Sequence, residues 1–569
     1  MTQEMKKIIF FIMIGVLMIG GWSLVSAEEQ QEDKLIIENI EGGQSFIITI
    51  VNPGDEAITD ISLDFDDVDD RIEFFPQKHF EISKINSHQR IKKKISLVFD
   101  VFPMDFLIPI EVVISLSYGE TTIERTVYCG IYGPYIFIAG TFYNDGGSYE
   151  GYTLYTPFLG TASYLINNDG EIVHKWNSGV VHRAGMGVYL TEDGELLRCE
   201  WDHMFLQLDE FGINPGGMTG RVIMYDWDGE CIWKFPYYSN TYCLHHDIEP
   251  LPNGNILMTA WEKKNEQQAI AAGLDEGNWD DEWEYMLIDK IIEVDPTIEI
   301  NPILGNYEDA IVWEWHAWDH LIQDYNSTKD NNGVVKEHPE LIDLNFGNTD
   351  SDWNHINAVD YNQDFDQILL SVHNFNEIWV IDHSTTTEEA AGHTGGNSGK
   401  GGDILYRWGN PQAYDAGDSN DQQFFGQHGA NWIDEGCPGE GNIIVFNNGN
   451  HARSYSSVDE IVPPVDDNGN YQYTVGEAYG PEKPIWIYTT DNPYDMFSQT
   501  LSNVQRLPNG NTLICSANQG LILEVTKEKE IVWNYQYQNI LPNHFTISRA
   551  VRYPLDYPGI PSIKSINQN

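Results

Sequence analysis

An all-β fold is what this sequence predicts, and three observations carry that reading. Aromatic residues make up 12% of the chain, with 17 Trp and 30 Tyr. Glycine is frequent, at 50 residues. Rings suit the pleated, half-buried surface of a sheet, and glycine marks the turns between short strands. The third observation is a pattern of apolar and aromatic residues that recurs six times after residue 135. At 569 residues and 41% hydrophobic composition, the chain has length and apolar material for more than one domain.

The N-terminus reads as an address. Lys6-Lys7 precede an apolar run from Ile8 to Val25, and Val25-Ser26-Ala27 places small residues before Glu28-Glu29. This is the layout of a secretory signal, so residues 1–27 are expected to direct export to a periplasmic, extracellular or cell-surface setting. The run is also long enough for an uncleaved membrane anchor. Residues 33–130 read as a separate β-sandwich. Strand-like runs at 46–51, 95–99 and 112–116 are divided by turn signals such as Asn52-Pro53-Gly54-Asp55.

The recurring pattern is two apolar residues, a large ring, any residue and then an aromatic. Its copies are Ile172-Val173-His174-Lys175-Trp176, Cys231-Ile232-Trp233-Lys234-Phe235, Ile311-Val312-Trp313-Glu314-Trp315, Ile404-Leu405-Tyr406-Arg407-Trp408, Pro484-Ile485-Trp486-Ile487-Tyr488 and Ile531-Val532-Trp533-Asn534-Tyr535. Most follow an apolar strand and a short polar turn, such as Asp169-Gly170 or Asp228-Gly229, and so predict a hairpin. A second hairpin signal, Leu251-Pro252-Asn253-Gly254-Asn255, recurs as Leu507-Pro508-Asn509-Gly510-Asn511. Two hairpins make a four-stranded blade. Six units predict a six-bladed β-propeller over residues 135–555, with 556–569 as a tail. Copies are spaced from under 50 to over 90 residues, which implies inserted loops. One of them, 383–403, contains Gly395-Gly396-Asn397-Ser398-Gly399-Lys400-Gly401. That segment fails the phosphate-loop spacing and reads as a mobile rim loop.

Composition excludes several function classes. Asp plus Glu number 87 against 31 Lys plus Arg, a formal net charge of −56. Such a surface repels nucleic acid and anionic membranes, so neither is an expected partner beyond the N-terminal anchor. The six cysteines are scattered with no C-x-x-C pair, which excludes a zinc ribbon. They read either as buried thiols or, for Cys231 and Cys243, as a disulfide across a hairpin.

Histidine is the informative residue. His245-His246-Asp247, His355-Ile356-Asn357 and Gln427-His428-Gly429 lie at similar phases beside blade strands, and His182-Arg183 occupies a comparable place. A lone histidine is ordinarily a packing or surface residue. Several in one phase would converge where inner strands line the axis. Converging imidazoles suit either a transition metal or an oxyanion, one ring acting as nucleophile and others as donors.

The surrounding residues resemble a known family. Asp352-Trp353-Asn354-His355-Ile356-Asn357 resembles the D-W-x-H-x-N motif of the arylsulfate sulfotransferases. His245-His246-Asp247-Ile248, Tyr406-Arg407-Trp408-Gly409 with Gln427-His428-Gly429, and Asn447-Asn448-Gly449 with Arg453 resemble further blocks of that family, in order, over most of residues 135–550. The resemblance implies a six-bladed propeller and a two-step exchange with neither a nucleotide cofactor nor a metal. On that pattern His428 attacks the sulfur of an aryl sulfate, a sulfohistidine forms, and a phenolic acceptor takes the sulfuryl group. His246, His355 and Asn357 would hold the sulfate oxygens, with His245 in place of His246 if the register differs by one. One position departs. The family arginine on the following strand is replaced by His373. Arg183, Arg506 or Arg407 could supply the missing charge from another blade, unless the last two face outward. An ester hydrolase in the same pocket and a non-catalytic propeller binding glycan or protein are the rival readings.

Overall fold

The structure, a computed structural model, describes residues 35–561 apart from 42–45, 68–71, 76, 100–109, 133–134, 159, 179–182, 202–210, 212–215, 281, 301–305, 348–350, 451–452 and 538–546. The signal segment 1–27 therefore lies outside the described residues, as does 562–569. No helix among the described residues is long and apolar enough to cross a membrane.

Residues before 145 form two antiparallel sheets. One has the order Ile36–Glu41, Phe46–Val51, Arg90–Phe99, Ile72–Phe75. The other begins His79–Ile85, Ile58–Asp67, Ile110–Tyr118, Thr121–Tyr132, Tyr135–Asn144. Alternation builds the core between them. Phe46, Ile48 and Ile50 from the first sheet and Val112, Ile114 and Leu116 from the second are all fully buried in one cluster. Strand Tyr135–Asn144 then pairs with Ile531–Tyr537, so the second sheet runs on as a nine-stranded sheet into the last propeller unit.

Six four-stranded antiparallel units follow among the described residues. Their innermost strands are Arg549–Pro554, Arg183–Leu190, Tyr242–Pro250, Ile356–Asn362, His428–Trp432 and Asn503–Arg506, for the first to sixth units. Each packs beside the next, and the last packs beside the first, so the inner strands close a ring around an axis. The first unit is completed by the C-terminal strand. Arg549–Pro554 pairs with Gly151–Thr156 over its whole length.

The recurring aromatic pattern marks the outermost strand of every unit. Its terminal rings Trp176, Phe235, Trp315, Trp408, Tyr488 and Tyr535 are buried. Indoles of these strands also reach the neighbouring unit. Trp176 donates to the Asp226 carbonyl at 3.0 Å, Trp315 to Gly402 at 2.8 Å, Trp408 to Pro481 at 2.7 Å and Trp486 to Lys527 at 2.9 Å. Trp533 donates to Asn168 at 2.6 Å, joining the sixth unit to the first. The Asn-Gly-Asn signals are hairpin turns, with Gly254 and Gly510 at φ 88° and 90°.

Two expectations change. The glycine-rich segment is a folded wedge, not a loose rim. Asp382 accepts the Ser398 N–H at 2.7 Å, Gly401 N–H donates to Gly395 at 3.0 Å, and left-handed glycines shape the turns between them. Cys231 and Cys243 are both free, the first exposed on an outer strand and the second buried on an inner one.

Candidate active site

The site is built where inner strands depart from regular pleating. In a regular strand adjacent side chains point to opposite faces. Pairing slips between Leu244 and Ile248, between Ile356 and Ala358, and between His428 and Asn431. These bulges re-aim consecutive residues toward the axis. His246 and His355 adopt left-handed backbone, φ 46° and 54°, a conformation uncommon outside glycine and worth a functional explanation. The broken alternation lets the adjacent rings of His245 and His246 meet, Nδ1 to Nδ1, at 2.8 Å. Gly217, at φ 78°, makes room for this. A Cβ there would lie 1.9 Å from the His246 ring.

Four of these rings form a continuous chain. His246 meets His355 at 4.4 Å between centroids, His355 meets His373 at 5.2 Å, and His373 meets His428 at 5.3 Å. His245 lies behind His246, stacked on Trp261 at 4.0 Å. The rings meet pairwise along this chain, and His246 also feels His373 and His428 across it. Among the described residues, the group whose ligand atoms all fall within 4.8 Å of one another is His320, His393 and Asp403. There both Nδ1 atoms already bond Asp403, and His320 Nε2 bonds the Ala390 carbonyl.

Hydrogen bonds assign the proton on His428. Its Nδ1 faces two acceptors, Asn448 Oδ1 at 3.0 Å and the Gly426 carbonyl at 3.1 Å. Asn448 is itself fixed, its amide donating to the Ser498 and Leu501 carbonyls. Nδ1 therefore carries the hydrogen and Nε2 keeps its lone pair. Burial, reinforced by His373 and His355, holds this imidazole well below its ordinary pKa, so it is neutral. His373 is bound in the same sense, Nδ1 to Asn374 Oδ1 at 2.7 Å, and burial lowers it to about 4. His355 differs, because its Nδ1 is bonded to the buried carboxylate of Asp352. It is the ring in the chain whose Nδ1 is held by a carboxylate.

A narrow space of about 30 Å³ on the axis is lined by His428, Asn357, Ser502, Asp247 and Arg549. Asn357 donates its amide to the Gln427 carbonyl at 2.8 Å, and its Oδ1 is buried without a partner. Gly429 follows His428 at φ 58°, and a Cβ there would come within 2.8 Å of Asn503 Cα in the sixth unit. The bend after His428 thus requires glycine.

A family model for arylsulfotransferases (ASST) matches residues 161–546, more than half of the chain. The chain belongs to this family. Membership makes it a sulfotransferase-type enzyme with small-molecule aryl sulfates and phenols as the family's substrates. No curated protein matches the chain. Among solved structures, it is similar to a protein of unknown function from Bacteroides caccae, at 12% identity and TM-score 0.38, covering 71% of this chain and 99% of that one. It is also similar to the Cps50 (Swd1) beta-propeller domain of Myceliophteria thermophila, at 7% identity and TM-score 0.34, covering 72% and 98%.

Measured against the family pattern, this arylsulfotransferase brings His246, His355, His373, His428 and Asn357 together. His245 does not face the axial space. Its side chain is fully buried behind His246. Arg506 is engaged elsewhere, donating to Glu460 at 2.8 Å and to the Pro438 carbonyl. Arg407 is fully buried against Glu377, so neither arginine faces outward and neither reaches the site. Arg183 opens the inner strand of the second unit, and its side chain lies outside the described residues. Sequence reasoning missed Arg549, the arginine that does line the axial space, paired with Asp247 and set over the Tyr189 ring. Its signal was faint, since the strand that carries it returns to the first unit from the far end of the chain.

Proposed function

We propose that this chain is an exported enzyme that moves a sulfuryl group from an aryl sulfate to a phenol through His428. The observation that carries the reading is the neutral His428 with its Nε2 lone pair left free by two acceptors on Nδ1. In the first step Nε2 attacks sulfur, the sulfur–oxygen bond to the aryl group breaks, and the departing phenolate takes a proton from a neighbouring imidazole. The sulfuryl group remains on His428. In the second step an acceptor phenol returns its proton, its oxygen attacks sulfur, and the bond to Nε2 breaks. Covalent catalysis of this kind divides one difficult displacement into two. His355, held by Asp352, and the polar atoms of His246, His373 and Asn357 hold the sulfate oxygens. The signal-like segment at 1–27 supports export. N-terminal sequencing of the secreted protein is expected to begin at Glu28, and retention of Met1 in the cell interior would overturn that part.

The test is an aryl sulfate assay with and without added phenol, beside His428→Ala. Phenol release that rises with acceptor and disappears in the variant is expected. Release indifferent to acceptor would point to a hydrolase. Release that persists in His428→Ala would remove the covalent step.

A further inference from the structure

Two half-reactions that pass one proton out and back need somewhere to keep it. Behind His246 three groups stand in line. His245 Nδ1 lies 2.8 Å from His246 Nδ1, and His245 Nε2 lies 2.6 Å from Asp289 Oδ1. The other carboxylate oxygen of Asp289 is taken by the Ile356 N–H at 2.8 Å, which leaves Oδ1 to face the imidazole. The short approach between Asp289 Oδ1 and His245 Nε2 runs off the line of the ring N–H, outside strict hydrogen-bond geometry. The Ala260 carbonyl also faces the His245 ring as a backbone acceptor. Both atoms are buried, neither has a partner of strict hydrogen-bond geometry, and 2.6 Å is within bonding distance. A small ring rotation makes them partners, and buried polar groups are paired.

An Nδ1 to Nδ1 hydrogen bond holds one proton, so the tautomers of two neutral rings are locked together. With the proton on His245 Nδ1, His246 carries its own proton on Nε2 and is a donor. With the proton on His246 Nδ1, His246 Nε2 is a bare acceptor. We propose that Asp289, His245 and His246 form a proton store that switches His246 between acid and base during sulfuryl transfer, an inference that rests on the function proposed above. In the first half-reaction His246 Nε2–H protonates the leaving phenolate oxygen. His246 Nδ1 takes the proton of His245 Nδ1, His245 Nε2 takes the proton of the Asp289 carboxyl, and Asp289 is left as carboxylate. In the second half-reaction the acceptor phenol gives its proton to His246 Nε2, and the same three protons move back.

Electrostatics agree with the starting state. Burial, and then the charge of Asp352, push Asp289 well above the usual carboxylate range. Burial lowers His245 to about 3, so a protonated carboxyl against a neutral ring is the resting arrangement. Asp352 and His355 of the fourth unit are the other titratable groups facing the store, and His428 and His373 lie farther along the chain. Asp289 and His245 are thus positioning residues that act through His246.

The test separates acid catalysis from structural support by varying the leaving group. The full chain, Asp289→Asn and His245→Phe are compared on phenyl sulfate, whose leaving phenolate is strongly basic, and on para-nitrophenyl sulfate, whose leaving phenolate is much less basic. Both variants are expected to lose about 100-fold or more in kcat/KM on phenyl sulfate but less than about 5-fold on para-nitrophenyl sulfate. Equal losses on both donors, or none on either, would overturn the store while leaving transfer through His428 intact. No release by the unmodified protein from either donor would overturn the proposed function itself and the store with it. Should both variants fail to fold, a proton inventory on the unmodified protein with phenyl sulfate decides. A curved dependence on deuterium content is expected for several protons in flight, and a straight one would overturn the store.

Discussion

At the scale of the residue, an imidazole is made useful by what occupies its other nitrogen. His428 is fixed by Asn448 and the Gly426 carbonyl, His373 by Asn374, His355 by Asp352 and His246 by His245. Asn448 is the clearest case to disturb, since it joins His428 to the chain before the sixth inner strand through the Ser498 and Leu501 carbonyls. Asn448→Ala is expected to lower kcat by roughly 100-fold, with a smaller change in KM, because the attacking tautomer is no longer enforced. Two buried carbonyls also lose a partner, so stability should fall by about 1–3 kcal/mol. Asn448→Asp keeps an acceptor on Nδ1 and should retain more activity. Stopped assays beside thermal melts check both, and an Asn448→Ala variant with unchanged kcat would show that Gly426 alone suffices. The histidines were legible in the sequence because they share a phase. Their partners were not. Asn374 is the sequence neighbour of the ring it holds, but Asp289 faces His245 from another strand and Asn448 reaches His428 from 20 residues on, and nothing local in the sequence announces such a role.

At the scale of the element, the recurring pattern was legible as strands and turns, while its purpose appears only in three dimensions. The second ring of each copy is buried, and in five of the six an indole of the same strand reaches the next unit's backbone. Ionic clamps add to this stitching. His383 bridges Glu293 of the third unit and Asp366 of the fourth, at 3.0 and 2.6 Å. His316 bridges Glu262 and Glu314 within the third. Burial opposes the charge on each ring, but hydrogen bonds to two carboxylates outweigh it and raise both to about 9. The unfolded value is about 6.5, so the folded state holds these protons more tightly. Their contribution to stability is complete below about pH 6.5 and is lost as pH rises through about 9. Urea unfolding midpoints for the unmodified protein should therefore fall between those limits. His383→Gln should lower the midpoint at acid pH and flatten part of the slope. A slope identical in the two proteins would place the pH dependence elsewhere.

At the scale of the whole molecule, the ring is closed by strands from distant parts of the chain. The sequence shows six copies of a pattern, but pattern alone does not say which strand completes which unit. Here the repeat is offset, so the first unit lacks an inner strand until Arg549–Pro554 arrives, and Trp533 of the sixth unit clasps Asn168 of the first. The same strand delivers Arg549 to the axial space and pairs Arg552 with Glu524. Closure, the site's nearest arginine and a buried ion pair thus depend on six residues. A chain ending at residue 548 is expected to lose activity and to melt roughly 10 °C or more lower, since about 1 kcal/mol moves the midpoint of a large domain by about 2–4 °C. Two buried groups, Asp247 and Glu524, are also left without their cations, which is costly beyond the lost sheet bonds. A synthetic peptide spanning 547–561 should restore part of both properties when added in trans, because its partner strand Gly151–Thr156 remains in place. Melting unchanged by the deletion would mean that the ring holds without its last strand. Melting restored by the peptide without activity would separate closure from the contribution of Arg549.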